Sequence, residues 1–118
     1  MKYLCLIYED QSGWQKMSDA DRNKGMAEYG SFTESIKKSG HYVGGEALQP
    51  TNTATTVRVR NGKLSTTDGP FVETKEQLGG YYLIDAKDLN DAIKVASRIP
   101  SAKWGGVEVR PLMIFDQQ

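Results

Sequence analysis

The chain of 118 residues holds one cysteine, one histidine and four prolines, and each scarcity closes a class of function. A single thiol, Cys5, makes no internal disulfide. With one histidine there is no Cys/His set at ligand spacing, so a structural zinc site is excluded and no metal is expected. Net charge is also missing, because 15 Lys and Arg balance 15 Asp and Glu. Sequence-independent nucleic-acid binding draws on a cationic excess, and no basic run supplies one locally, so nucleic acid is not an expected partner. No apolar run approaches the roughly 20 residues that span a bilayer. Met1 leads directly into a strand-like segment, and the expectation is a soluble, unexported, cytoplasmic protein. The G-x-G-x-x-G, P-loop, G-x-S-x-G and H-E-x-x-H patterns are absent, so nucleotide-driven and serine-hydrolase chemistry drop out and no cofactor is expected.

What is present suffices for one globular unit. Hydrophobic residues make up 38%, and 12 glycines bring the total into the ordinary range. A chain of this length buries roughly two-thirds of the surface exposed when unfolded, enough for one core and not for two. The expected organisation is a single domain over residues 1–118.

Lys2 to Tyr8 (KYLCLIY) is apolar on both faces and reads as a central strand ended by the turn-forming Glu9-Asp10-Gln11-Ser12-Gly13. Ser18, with Asp19 and Asp21 in the first turn, starts a helix in which Met26, Tyr29, Phe32 or Thr33, and Ile36 recur at helical spacing. Lys37 and Lys38 suit its end, and Gly40 supplies the left-handed stop. Gly25 and Gly30, unfavourable inside a helix, mark places of close packing. His41 to Leu48 is a second strand with a bulge at Gly44-Gly45. Thr55–Arg60 and Lys63–Thr67 pair across Asn61-Gly62, the residues a two-residue type I′ turn requires. Alternation puts Val57 and Val59 on one face and Arg58 and Arg60 on the other, so one side is expected to be buried and the other wet. Gly79 to Ile84 is a further strand. Asp88 caps a helix whose Leu89, Ala92, Ile93 and Ala96 form its apolar stripe, and Val107 to Phe115, interrupted by Pro111, is the last strand.

Strand, helix, strand, inserted hairpin, strand, helix, strand is the order of a ferredoxin-like βαββαβ fold of the α+β class with an inserted β-hairpin. Both helices lie on one face of such a sheet, and the other face needs a cover. The simplest is the same face of a second copy, which makes a homodimer. The absence of net charge removes one barrier to that pairing.

Residues Asp68 to Tyr82, DGPFVETKEQLGGYY, resemble the signature of the DGPF-domain branch of the YCII-related family. The opening MKYLCLIYED, the helix end EYGSFTESIKKSG, the segment GGEALQPTNTATTVRVRNGK and the closing GGVEVRPLMIF resemble that branch as well, so the likeness covers nearly the whole chain. It implies a dimeric α/β barrel built from two ferredoxin-like subunits, and it implies association with sigma-factor systems. Some YCII-type members carry a histidine near the start of the first helix, beside an aspartate. The corresponding stretch here, SDADRNKGMAEYG, has none, so that dyad does not carry over.

The candidate catalytic residues are therefore His41, the one side chain that ordinarily titrates near neutrality, and Asp68, either a turn-shaping cap or a carboxylate at a cleft rim. Candidate ligand-binding residues are Lys75, a point charge in the ETKE run; Tyr82, one of two tyrosines that alternation sends to opposite faces; Arg110, beside Glu108 on the last strand; and Trp104, in a glycine-flanked loop. Phe71 reads as a core or interface plug, and Cys5 as inert through burial. Two functions stand open. One is a ligand-binding or regulatory module with a small-molecule pocket at the barrel. The other is a cofactor-free enzyme doing acid-base chemistry on a small polar-aromatic or lactone-like compound. The expected partners are a second copy and a small-molecule ligand, with room for a protein partner; a membrane is not expected.

Overall fold

The computed structural model describes residues 1–115, and its scaffold is one antiparallel sheet with helices on a single face. Four strands, β1 (Lys2–Glu9), β2 (Tyr42–Ala47), β5 (Gln77–Asp85) and β6 (Gly106–Pro111), lie in the order β2-β5-β1-β6. That is the ferredoxin-like arrangement. The inserted hairpin, β3 (Thr55–Arg60) with β4 (Lys63–Asp68), forms a separate two-stranded ribbon. No helix among the described residues is long and apolar enough to cross a membrane.

The long helix α2 (Asp19–Lys38) forms where the caps direct it. Ser18 accepts a hydrogen bond from the Asp21 backbone N–H, and Asp19 and Asp21 face the positive end of the helix dipole. At the other end Gly40 takes φ +82°, its N–H donates to the Lys37 carbonyl, and the His41 N–H donates to that of Ile36. This paired closure is a Schellman motif, and it fixes where His41 leaves the helix. A shorter helix, α1 (Gln11–Lys16), occupies the stretch expected to be a turn. Asp10 caps it, and Arg22 clamps its end by donating to the carbonyls of Trp14 and Gln15. Trp14 packs over Gly25, with a ring atom 3.4 Å from where a β-carbon would stand; Gly30 has no such neighbour.

The core lies between the sheet and the helices. Tyr3, Cys5 and Ile7 of β1, and Tyr82 and Ile84 of β5, meet Phe32 and Ile36 of α2 and Ala92, Val95 and Ala96 of α3 (Leu89–Ala96). The buried line of α3 runs through Ala92, Val95, Ala96 and on to Ile99, while Leu89 and Ile93 stand half exposed along its margin. The expected stripe is thus rotated, because small alanines occupy the closest approach to the sheet. On the opposite face of the sheet Leu4, Leu6, Tyr8, Tyr81 and Leu83 form a row that remains partly exposed.

Three further expectations are corrected. Val57 and Val59 are each 59% exposed, and so neither side of the hairpin is buried apart from Thr56 near its root. The ribbon projects from the body. The radius of gyration is 16.5 Å, against about 13.5 Å for a compact chain of this length, and the extents of 52 × 47 × 18 Å give a thin two-layered body with in-plane extensions. Phe71, read as a core or interface plug, lies outside the core of the chain, 72% exposed and under the Arg58 guanidinium. Strand β6 stops at Pro111, where one more backbone bond from the Leu112 N–H to Lys2 ends the pairing, rather than running on to Phe115.

Candidate functional site

The sheet has two ends, and three of the candidate residues divide between them. Strand β5 is nine residues long, a span of roughly 26 Å. His41 precedes β2 at the end where β5 finishes, and the Asp85 N–H donates to its carbonyl. Lys75 and Trp104 lie at the other end, where β5 begins beside the close of β1.

At the first end His41 joins two helices. Its Nδ1 is 2.7 Å from the Ser39 hydroxyl, and its Nε2 lies 3.1 and 3.2 Å from the two oxygens of Asp91 in the first turn of α3. The Lys87 backbone N–H also donates to Asp91. That bond first, and the His41 bond second, hold the Asp91 carboxyl below its ordinary range. The Ser-His-Asp line has a relay's composition but not its surroundings. The backbone N–H groups of Ser39, Gly40 and His41 all donate into α2, leaving no oxyanion-binding pair there. The negative end of the α2 dipole also disfavours an anionic serine.

At the second end a partly buried hydrogen-bond chain holds an aromatic wall. Ser101, 1% exposed, lies in the 3-10 turn Pro100–Lys103 and donates to Glu9 Oε2 at 2.8 Å. Trp104 Nε1–H donates to the same oxygen at 3.1 Å. The Ser101 proton being engaged, the Tyr29 hydroxyl is the donor in its short contact with Ser101. Burial pushes the Tyr29 pKa up, which keeps it a donor. Gly105 lets this loop press on β1, since a β-carbon there would lie 2.1 Å from the Tyr8 carbonyl oxygen. A cleft of about 690 Å³ results, lined by Tyr8, Asp10, Thr74, Lys75, Glu76 and Trp104. A larger hollow of about 950 Å³ is lined only by residues of α2 and its cap, and a single helix gives it one wall.

Of the six candidates from sequence, this cleft gathers Lys75 and Trp104. Tyr82 faces the helices, its hydroxyl 2.7 Å from that of Thr33 and its ring edge-on to Phe32. Arg110 is on the uncovered sheet face, donating to Glu108. Asp68 is exposed at the root of the ribbon, and its side chain accepts no hydrogen bond among the described residues; the Gly69 N–H closes that root on Ala54 and the Thr56 hydroxyl on Gly69.

The model of the YCII-related domain matches residues 1–116 of this sequence. The chain belongs to the YCII-related family. An uncharacterised protein of Rhizobium meliloti (strain 1021) is 35% identical over 117 residues, covering 98% of this chain and 94% of that relative. In this YCII-related chain the sequence reading misses Glu9, Tyr29 and Ser101. Glu9 reads as the first residue of a turn, and Ser101 lies between the last helix and the last strand with no motif to single it out. The one available signal is an acid directly after an apolar strand, at a position that alternation sends to the helix side.

Proposed function

We propose that this YCII-related protein is a homodimeric small-molecule-binding module, with its ligand in the Tyr8–Lys75–Trp104 cleft. The observation that carries this reading is the double membership of Tyr8. It lines the cleft and also ends the uncovered row Leu4, Leu6, Tyr8. Pairing of two copies through that apolar row removes it from water and places a second subunit beside each cleft mouth. A volume of about 690 Å³ suits a small organic ligand. The loop Thr74 to Glu76, part of the segment that carries the DGPF-type resemblance, supplies one wall. A regulatory role beside a sigma-factor system, implied by the same resemblance, is consistent with a dimer whose interface adjoins its ligand.

Sedimentation at micromolar concentration tests the pairing. A dimer is expected for the natural sequence and a monomer for Leu6→Asp, and a monomeric natural protein overturns it. For the cleft, Trp104 fluorescence is followed in a Trp14→Phe background while candidate metabolites are added. A saturable response is expected, and binding seen by calorimetry that survives unchanged in Trp104→Leu moves the ligand elsewhere.

The hydrogen bond between His41 and Asp91 favours a second reading, a cofactor-free acid-base enzyme at the opposite end of the sheet. It is the weaker of the two, because the backbone N–H groups beside His41 all donate into α2 and leave no oxyanion-binding pair. An activity of the natural protein that His41→Ala abolishes and Trp104→Leu spares establishes it.

A further inference from the structure

From the chemistry of the cleft walls we infer that the ligand is a small organic cation, a protonated or quaternary amine that stacks on Trp104. This rests on the cleft reading above and adds the ligand's class.

The Trp104 ring is prepared for a cation. Its Nε1–H donates to the Glu9 carboxylate, and a negative acceptor at that edge pushes electron density onto the ring, strengthening the attraction its face exerts on positive charge. That the ring accepts a cation is already visible within the chain: the Lys103 ammonium lies 5.6 Å from the ring centroid. Lys103 also pairs with Glu28 at 3.5 Å and does not line the cleft, so it leaves the cleft side of the indole open. Tyr8 supplies a second aromatic wall.

The rim charges point the same way. Asp10 accepts from the Ser12 N–H and hydroxyl, and these bonds, with weaker help from nearby Lys75 and Lys16, hold its carboxyl below the ordinary range and therefore ionised. Lys75 and Asp10 offset one another across the cleft. Glu76 remains, with no partner for its carboxylate among the described residues, and Glu9 adds negative charge behind the indole. The loop that carries Glu76 is held in place: the Thr74 hydroxyl donates to the Glu76 carbonyl, and Gln77 Nε2 donates to the Thr74 carbonyl at 2.6 Å. An aromatic wall backed by a carboxylate, facing a rim with a surplus acid, recognises an ammonium group by ring attraction and charge together.

The test uses the full-length Trp14→Phe protein, titrated with choline chloride and spermidine trihydrochloride against sodium benzoate, at constant ionic strength, by Trp104 fluorescence and calorimetry. Saturable binding of at least one amine is expected, weakened about tenfold in Trp104→Leu and several-fold in Glu76→Gln, an exposed position whose change leaves folding intact. Lys75→Ala is the discriminating variant, since removal of a like charge tightens amine binding a few-fold. Benzoate binding that Lys75→Ala destroys, with no amine binding, overturns the cation class and leaves the cleft in place. If neither amines nor benzoate bind, the cation inference falls; a Trp104-independent response to every compound tried removes the cleft reading as well.

Discussion

Where β2 begins, His41 has both ring nitrogens engaged, by Ser39 and by Asp91, and the surrounding backbone donors are all returned to α2. At the other end of the sheet Trp104 is held through Glu9 and Ser101, yet the neighbouring Glu76 carboxylate has no partner among the described residues and Lys75 meets only the charge of Asp10. The first end resembles catalytic machinery in composition and links the end of α2 to the start of α3. The second holds no arrangement that looks catalytic, but it leaves charged groups open beside an aromatic surface. Hydrogen-bonding capacity satisfied within the fold stabilises the fold; capacity left open at a held position is available to something else.

The contrast is broken most severely at Gly105. Gly105→Ala forces a β-carbon to within 2.1 Å of the Tyr8 carbonyl oxygen, and a loss of about 3 kcal/mol in urea unfolding is expected. Gly13→Ala, with nothing within 4 Å of its β-carbon position, costs nothing comparable. Equal stability of both variants contradicts the tight seating of the Trp104 loop.

Ser101→Ala comes next. It removes the donor to Glu9 and leaves the partly buried Tyr29 hydroxyl without its acceptor, for roughly 1–2 kcal/mol. A shift of Trp104 emission toward longer wavelength accompanies the loss, because the indole is held through the same carboxylate. Unchanged emission shows that the wall is held by packing alone.

Asp91→Asn gives the smallest effect and probes the other end through pH. The Asp91 carboxyl is held below its ordinary value of 3.8, first by the Lys87 N–H and then by His41. A depressed folded-state pKa adds stability that is fully present above 3.8 and disappears as pH falls through the lower folded value. The natural protein therefore loses stability on acidification below that point more steeply than Asp91→Asn, while ligand binding at Trp104 is the same in both at neutral pH. Identical acid profiles remove the charge from the His41 joint.

The fold was legible wherever a local rule decided it. Asn61 and Gly62 take φ of 52° and 76° in the hairpin turn, Ser18 and Gly40 bound α2, and Asp88 caps α3 by accepting from the Asp91 N–H. Helix α1 escaped because QSGWQK is short and buries no residue, leaving no apolar stripe to read. The exposure of Val57 and Val59 escaped because alternation tells which side chains share a face, and not whether anything lies over that face. The site was the least legible part. Glu9 meets Ser101 and Trp104 across 92 and 95 residues, and no spacing rule links a strand-end acid to a turn serine so far along the chain. Trp104 and Lys75 were readable as candidates from their chemistry alone. Tyr82, equally plausible by type, was claimed by the core.

Cys5 sits in β1 between β5 and β6, fully buried, its thiol pushed up to about 11 by desolvation. At neutral pH only a vanishing fraction is thiolate, and a modifying reagent has no route to it while the sheet is closed. The sole sulfhydryl of the chain is thus a built-in clock for separation of the central strands. The rate at which a thiol reagent labels it reports how often the middle of the sheet opens, independently of anything that happens at either end.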